Sequence, residues 1–261
     1  MTVVAVANPP GGVGKTTVTL GLADAAVRRG RAVVVVDLDP QANATSGLGV
    51  SHPTRTVDDA LAGDLRGALR LLDEFAEASP SNAVEVLSAK GQLLASVEKY
   101  YEALQLYDTV ISYHPDDERA ALGRSELLLR MGRLDEALES YADVAKRWPK
   151  SAMALNAYGY TLADRTDRYR EAEKLIRKAL RYDPTSPAII DSLGWVLFKL
   201  GRYEEALVEL ERAYDGMQDH EVAAHIIETL VALGRNDEAM EWLLKAEEKT
   251  PDSPLLKDVR D

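Results

Sequence analysis

Small and apolar residues recur along most of the chain with a period close to 34 residues. Five alanines mark this period at spacings of 34, 35, 34 and 33 residues: Ala103, Ala137, Ala172, Ala206 and Ala239. Each period contains two stretches with apolar residues at helical spacing, separated by a short turn and usually closed by a proline. This pattern predicts a stack of helix pairs, each packed mainly against its neighbours in the chain.

The alanine spacing also sets the bounds of the predicted repeats. They lie at about 84–117, 118–151, 152–186, 187–219 and 220–253, after a half-repeat at 63–83. Three glycines are predicted where the two helices of a pair cross too closely for a larger side chain: Gly91, Gly159 and Gly194. Three more are predicted to turn a first helix into the second: Gly132, Gly201 and Gly234.

A different pattern occupies residues 1–62. The β-branched run Thr2–Ala7 is followed by a glycine-rich stretch, a helical stretch and a second apolar run at Ala32–Val36. Strand, loop, helix and strand make one βαβ unit. We therefore predict a mainly α chain with two domains. A truncated βαβ unit at 1–62 precedes a helical-repeat array at 63–261, with five repeats plus the half-repeat.

The glycine-rich stretch between the first strand and the helix has the composition of a phosphate-binding loop. Glycines let backbone N–H groups surround phosphate oxygens, and the following helix presents its positive N-terminus to the same anion. Lys15 would bridge the β- and γ-phosphates, and the Thr16 hydroxyl would ligate Mg²⁺. The candidate cofactors are therefore ATP and Mg²⁺, and the predicted loop residues are Gly11, Gly12, Val13, Gly14, Lys15, Thr16 and Thr17.

The loop, together with Asp-Leu-Asp-Pro at 37–40, resembles the N-terminus of the ParA/MinD family of partition ATPases. The resemblance implies that Asp39 positions the attacking water and that Asp37 joins Thr16 as a Mg²⁺ ligand. Two departures argue against turnover. Pro10 stands where the family has its signature lysine, and no later stretch reads as a buried strand with a Walker B aspartate. We expect a loop that can bind ATP without hydrolysing it; a P-loop ATPase is the alternative.

The repeated unit resembles the tetratricopeptide repeat (TPR). The stretches at 156–165 and 191–197 resemble proteobacterial TPR lipoproteins, some of which are adaptors that deliver substrates to processing proteases. The resemblance implies a right-handed superhelix whose concave face binds an extended peptide or partner helix. Helical phasing places ten residues on that face: Gln92, Glu126, Arg130, Asn156, Tyr160, Asp191, Trp195, Lys199, His225 and Glu228.

Aromatic side chains dominate interface energetics, so Trp195 with Tyr160 is the best candidate anchor for a partner. The alternative is that Trp195 only packs between repeats.

Charge and composition restrict the partners. The net charge is −12, and residues 1–62 hold five Lys/Arg and five Asp/Glu, so the acidic excess lies in the repeats. This disfavours nucleic acid and anionic membranes. The chain has no cysteine and its four histidines lack metal-ligand spacing. No export signal or apolar run of about 20 residues is present, which predicts a cytoplasmic protein.

The functional expectation is a protein-interaction scaffold or adaptor of the TPR type that carries a P-loop fragment. One alternative is a ParA/MinD-like switch in which ATP controls partner binding. The other is an artificial or recombined chimera of the two patterns, because they meet without a linker within residues 56–68.

Overall fold

The computed structural model describes residues 3–7, 33–37, 69–70, 72–73 and 83–249. Residues 83–249 form a continuous succession of helices joined by short turns. These helices are α1 Ala83–Ser96, α2 Tyr100–Tyr113, α3 Glu118–Arg130, α4 Leu134–Arg147, α5 Ala152–Arg165, α6 Tyr169–Tyr182, α7 Pro187–Lys199, α8 Tyr203–Gly216, α9 His220–Ala232 and α10 Asn236–Lys249. The predicted mainly α architecture is confirmed.

Sequence-adjacent helices pack together in the pairs α1–α2, α5–α6, α7–α8 and α9–α10. The alanines that mark the period are all on second helices, and all are buried: Ala103, Ala137, Ala172, Ala206 and Ala239. They are small because the neighbouring helices approach closely at these positions. The larger apolar side chains that pack around these alanines are removed from water, and full burial of one such side chain stabilises the fold by about 1.5–3 kcal/mol.

The close helix crossings fall on the glycines that the spacing predicts. A Cβ atom built on Gly194 would lie 2.5 Å from Cγ of Leu210, and one on Gly159 would lie 2.7 Å from Cγ1 of Ile176. In the first pair, a Cβ on Gly91 would lie 3.1 Å from the Tyr107 ring. In α1, α5 and α7 the first helix therefore lacks a side chain at the point where its partner helix inserts one.

Three of the five turns between a first and a second helix share one backbone geometry that depends on glycine. Gly132, Gly201 and Gly234 have φ values of 73°, 74° and 74°, in the left-handed region that glycine adopts without strain. At Gly201, the amide of the next residue, Arg202, donates to the carbonyl of Leu197 at 3.0 Å, which closes a Schellman-type motif. Glu98 occupies the same place in the α1–α2 turn with φ 60°.

Short polar residues begin several of the first helices. The Ser151 hydroxyl accepts the Ala154 amide at 3.0 Å, and the Asp219 carboxylate accepts the Glu221 amide at 2.8 Å. Asp117 accepts the Ala120 amide at 2.9 Å in the same way. Each bond satisfies an amide that has no partner within its own helix, which is why Ser and Asp are favoured there.

The two strands near the N-terminus form a parallel pair. Strand β1 (Val3–Ala7) pairs with β2 (Val33–Asp37), in register from Val3 opposite Val33 to Ala7 opposite Asp37. Both strands coincide with the apolar runs predicted from the sequence. The loop at 8–17, the helix predicted after it and most of the half-repeat at 63–83 lie outside the described residues.

Two compact units divide the chain, Met1–Leu127 and Leu128–Asp261, with the boundary inside α3. In the second unit, α7 contacts the first helix on either side of it, α5 and α9. The core there is built from α7 to α10 and includes Ile190, Leu210, Ile226 and Leu243. These contacts hold α5, α7 and α9 side by side.

Candidate functional site

The helices α5, α7 and α9 each carry three residues at helical spacing on the side predicted to face a partner. Residues four and then three or four positions apart lie on the same face of an α-helix. We call this set the first-helix face; it consists of Asn156, Tyr160 and Asp164 on α5, Asp191, Trp195 and Lys199 on α7, and Glu221, His225 and Glu228 on α9.

A buried ion pair joins the middle and last of these helices. Nδ1 of His225 lies 2.9 Å from Oδ1 of Asp191, and the two residues are only 6% and 7% exposed. Buried charges are unfavourable unless they are paired and hydrogen-bonded, so these two side chains fix the register between α7 and α9.

The Trp195 ring lies against this pair. Its ring is stacked on that of His225, with centroids 4.2 Å apart and an interplanar angle of 20°. It also stacks on Phe198 with centroids 5.2 Å apart, and the Lys199 ammonium lies 4.0 Å from the Trp195 centroid. Trp195 therefore packs between repeats while remaining next to the only ammonium group of the first-helix face.

A hydrogen bond connects α5 to α9, although these helices belong to repeats that are not adjacent in the chain. The Tyr160 hydroxyl donates to Oε1 of Glu221 at 2.9 Å, across 61 residues of sequence. Glu221 lies one helical turn before His225, so the bond ends beside the buried ion pair. Tyr160 thus links the first and last of the three helices over α7.

The titration of two side chains reflects the carboxylates around them. Burial raises the pKa of Tyr160, and the carboxylates of Glu221, Asp164 and Asp191 raise it further. Burial acts to lower the pKa of His225, but the bond to Asp191 and the charges of Asp191, Glu221 and Glu228 raise it above its ordinary value. The carboxylates of Asp191 and Glu221 thus contribute to both pKa shifts.

Two buried polar atoms of the first-helix face have no hydrogen-bond partner among the described residues. They are the Trp195 indole nitrogen Nε1, a donor, and the Asn156 amide oxygen Oδ1, an acceptor. Trp195 is only 6% exposed. An unsatisfied buried polar group costs about 1–3 kcal/mol. Neither atom is exposed, so a ligand that bonds to them must first displace a neighbouring side chain, and it then recovers that free energy.

The remaining predicted groove residues are exposed. Gln92 lies on α1 and Glu126 on the part of α3 in the first unit, while Arg130 lies at the end of α3 in the second unit. Seven of the ten predicted residues thus lie on the three packed helices α5, α7 and α9, and the contacts described above join Asp191, Trp195, Lys199 and His225 to one another. The structure adds Glu221 and Asp164, which helical phasing missed although each lies one turn from a predicted residue.

The predicted nucleotide site can be located only through its flanking strands. In the parallel pair, Ala7 lies opposite Asp37, so the loop begins at the same carboxyl edge at which Asp37 ends β2. Phosphate-binding sites of α/β folds form at this edge. The loop residues 11–17 and Asp39 lie outside the described residues, so their roles stay predictions.

Other site types find no support in the part of the chain that the structure describes. Its residues contain no group of three or more His, Cys, Asp or Glu side chains placed to hold a metal ion. None of its helices is both long enough and apolar enough to cross a bilayer.

Comparison with known proteins assigns different relatives to the two patterns. A TPR repeat-containing protein of Pseudomonas aeruginosa is 36% identical over 165 residues, 63% of this chain and 28% of that protein. The chromosome-partitioning ATPase Soj of Thermus thermophilus is 51% identical over 73 residues, 28% of this chain and 29% of that protein. The chain thus spans less than a third of the length of each of these two curated relatives.

A solved structure supports the repeat fold. The crystal structure of a thermophilic TPR protein from Thermus thermophilus superposes with a TM-score of 0.59 at 23% identity, and the match covers 67% of this chain and 95% of that one. The predicted TPR architecture is confirmed.

The family assignment comes from a match that covers most of the chain. The sequence model of the CobQ/CobB/MinD/ParA nucleotide binding domain matches residues 4–239. Among the described residues of that span, the strands are β1 and β2, and the residues from 83 onward form helix pairs. The chain belongs to the CobQ/CobB/MinD/ParA nucleotide-binding domain family, and it carries a tetratricopeptide-repeat region.

Proposed function

We propose that this protein is an interaction scaffold or adaptor that binds an extended peptide segment of a partner on its first-helix face. One observation carries the proposal: the buried indole N–H of Trp195 and the buried amide oxygen of Asn156 lack partners among the described residues. A peptide backbone supplies both missing groups, because each of its residues offers one acceptor and one donor.

The surroundings of these two atoms suit a peptide. The stacked rings of Trp195, His225 and Phe198 provide a rigid aromatic surface, and aromatic residues dominate the energetics of interfaces. The Asp191–His225 pair and the Tyr160–Glu221 bond hold the three helices in place before a partner arrives. A pre-organised surface loses less entropy on binding, which favours affinity.

The test is a selection from displayed random peptides of about twelve residues on the immobilised full chain. The proposal expects enrichment of a peptide class that binds saturably in solution by fluorescence anisotropy. Trp195→Phe keeps an aromatic ring but removes the N–H, and we expect it to weaken binding about five- to tenfold. The matched control is Trp242→Phe on α10. Failure to enrich any peptide on a folded chain would contradict the scaffold function.

A second function is favoured by the N-terminal pattern. We infer that the loop at 11–17 binds ATP with Mg²⁺, held by Lys15 and Thr16, without sustained hydrolysis. The support is the parallel β1–β2 pair, whose carboxyl edge is where the loop begins, and the 51% identity to a partitioning ATPase over 73 residues. In this proposal Asp37 would join Thr16 at the Mg²⁺ ion, and Asp39 would face the γ-phosphate.

Calorimetry with Mg-ATP tests this inference on the full chain. Lys15→Ala should lower the affinity about a hundredfold or more, because the ammonium is the main charge opposite the phosphates. Lys174→Ala, an exposed lysine on α6, is the control and should bind as the wild type does. Absence of binding heat for the folded wild-type chain would contradict the nucleotide function.

A ParA/MinD-like switch requires the two functions to be coupled. The peptide affinity would then differ with and without Mg-ATP, and the ATP affinity would change by the same factor in the presence of the peptide. Equal peptide affinities in both conditions would leave a scaffold with an independent nucleotide site.

A further inference from the structure

Carboxylates outnumber cations on the first-helix face. It carries Asp164, Asp191, Glu221 and Glu228 against the single ammonium of Lys199, with His225 as a titratable addition. Asp191 is bonded to His225, and Asp164 pairs with its sequence neighbour Arg165 at 2.7 Å. The two glutamates on α9 are therefore the carboxylates on this face that no cation of the described residues neutralises.

The single ammonium does not offset this charge. Lys199 lies over the Trp195 ring, with Nζ 4.0 Å from its centroid, and forms no ion pair with a described residue. A cation over an aromatic face is stabilised by the ring quadrupole, which holds the ammonium on the indole. Lys199 is also a long and flexible side chain, so it can turn aside and uncover the ring.

The two glutamates have the geometry to receive a cation. Glu221 and Glu228 are seven residues apart on α9, so they lie on the same side of the helix, two turns apart, with His225 between them. Glu221 is exposed, and Tyr160 uses only its Oε1 atom. A carboxylate has capacity for about four hydrogen bonds, so Glu221 can accept a guanidinium while keeping the Tyr160 bond.

We propose that the partner is an extended basic peptide, whose backbone pairs with the Trp195 indole N–H and the Asn156 amide oxygen while its Arg or Lys side chains bind Glu221 and Glu228. This inference rests on the proposed scaffold function and adds the chemistry of the partner. Glu221 raises the pKa of both Tyr160 and His225, and Glu228 raises the pKa of His225, so each glutamate acts on a neighbouring titratable group.

Other cations and polyanions fit the face less well. A polyamine carries only N–H donors, so it could engage the carboxylates and Asn156 but not the Trp195 N–H. A nucleic acid would bring its phosphates against the carboxylates and is disfavoured. A peptide supplies a donor, an acceptor and positive charge together, which matches all three features of the face.

The experiment uses the peptides selected on the wild-type full chain. The proposal predicts an excess of Arg and Lys in the selected sequences compared with the starting library. The double variant Glu221→Gln/Glu228→Gln should then weaken binding of the best basic peptide about tenfold or more, and the loss should shrink as salt is added. Far-UV circular dichroism checks that the variant is folded.

The control variant removes the same charge elsewhere in the second unit. Glu204→Gln/Glu241→Gln changes two exposed glutamates on the second helices α8 and α10 and should leave the affinity within about twofold. Spermidine, added as a competitor, should displace the peptide only at much higher concentration than an unlabelled copy of the peptide.

The outcomes separate this inference from the function it rests on. Selection of neutral or acidic peptides that bind saturably, or equal effects of the two double variants, would overturn the basic-peptide inference and leave the scaffold function standing. Selection of no peptide at all would overturn the scaffold function itself.

Discussion

The first helix pair of the described repeats, α1–α2, and the fourth, α7–α8, share the same helix crossing and turn but use different residues there. In each, a glycine of the first helix faces a large side chain of the second, Gly91 with Tyr107 and Gly194 with Leu210. Each pair also turns through a residue with positive φ, Glu98 or Gly201. The helical plan therefore tolerates an aromatic or an aliphatic residue at the crossing, and a glutamate or a glycine in the turn.

The two pairs differ in chemistry on the side of the first helix that is predicted to face a partner. On α1 the predicted partner-facing residue is the exposed Gln92, whereas on α7 Asp191 and Trp195 are buried at the equivalent side of the helix. Of the six buried polar or charged side chains among the described residues, five lie in the second unit. Repetition thus fixes the scaffold, and departures from it identify the candidate binding face.

The largest effect on stability is expected at the helix crossing of α7–α8. Leu210 is fully buried against Gly194, so Leu210→Ala should lower the free energy of unfolding by about 2–5 kcal/mol. Val208→Ala, 64% exposed on the same helix, should change it by less than about 0.5 kcal/mol. Urea denaturation followed by far-UV circular dichroism measures both. Similar losses for the two variants would contradict the packing described for α7–α8.

A substitution in the α7–α8 turn should lower the free energy of unfolding by a smaller amount. Gly201 has φ 74°, and a Cβ atom placed on it would meet nothing within 4 Å, so Gly201→Ala tests backbone strain without a steric clash. The variant should be destabilised by about 1 kcal/mol, because left-handed geometry is unfavourable for an L-residue. Ala232→Gly, at the last residue of α9, is the comparison variant. Urea denaturation of it measures how much stability an alanine-to-glycine change costs at a helix end. An unchanged midpoint for Gly201→Ala would show that the turn adapts.

In the first pair, replacing the turn residue by glycine should increase stability rather than lower it. Glu98 adopts the left-handed geometry that glycine has in the equivalent turns, so Glu98→Gly should stabilise the first unit by about 0.5–1 kcal/mol. Thermal denaturation measures the gain, with Glu98→Gln as the control for the lost charge. Destabilisation of Glu98→Gly, with Glu98→Gln unaffected, would show that the two turns are not equivalent.

The buried ion pair predicts a pH dependence confined to the second unit. Because the folded pKa of His225 is raised, its contribution to stability is present below the unfolded value of about 6.5 and is lost as pH rises through the folded pKa. The stability advantage of the wild type over His225→Gln should therefore be largest below about pH 6.5 and should fall as the pH rises through the folded pKa of His225. His114→Gln, at an exposed histidine of the first unit, is the control for the removal of an imidazole. A constant difference for His225→Gln would argue against protonation of the pair.

The periodic pattern was sufficient to predict the helix pairs, the close crossings and three of the turns, because each depends on small residues at fixed spacing. Glu98 was missed as a turn residue because glutamate has no local preference for positive φ. Glu221 was missed because its partner Tyr160 is 61 residues away, and no local pattern reports such a contact. The roles of Lys15, Asp37 and Asp39 stay predictions, since the loop and Asp39 lie outside the described residues.

The most direct test of the binding face follows the indole N–H of Trp195 during titration with the selected basic peptide. The chain has three tryptophans, so ¹⁵N-labelled tryptophan gives three indole signals, and Trp195→Phe assigns the one of interest. We predict that the Trp195 signal shifts at saturation and exchanges more slowly with solvent, while the signals of Trp148 and Trp242 stay in place. A Trp195 signal that does not move while anisotropy shows the peptide bound would contradict binding at the first-helix face.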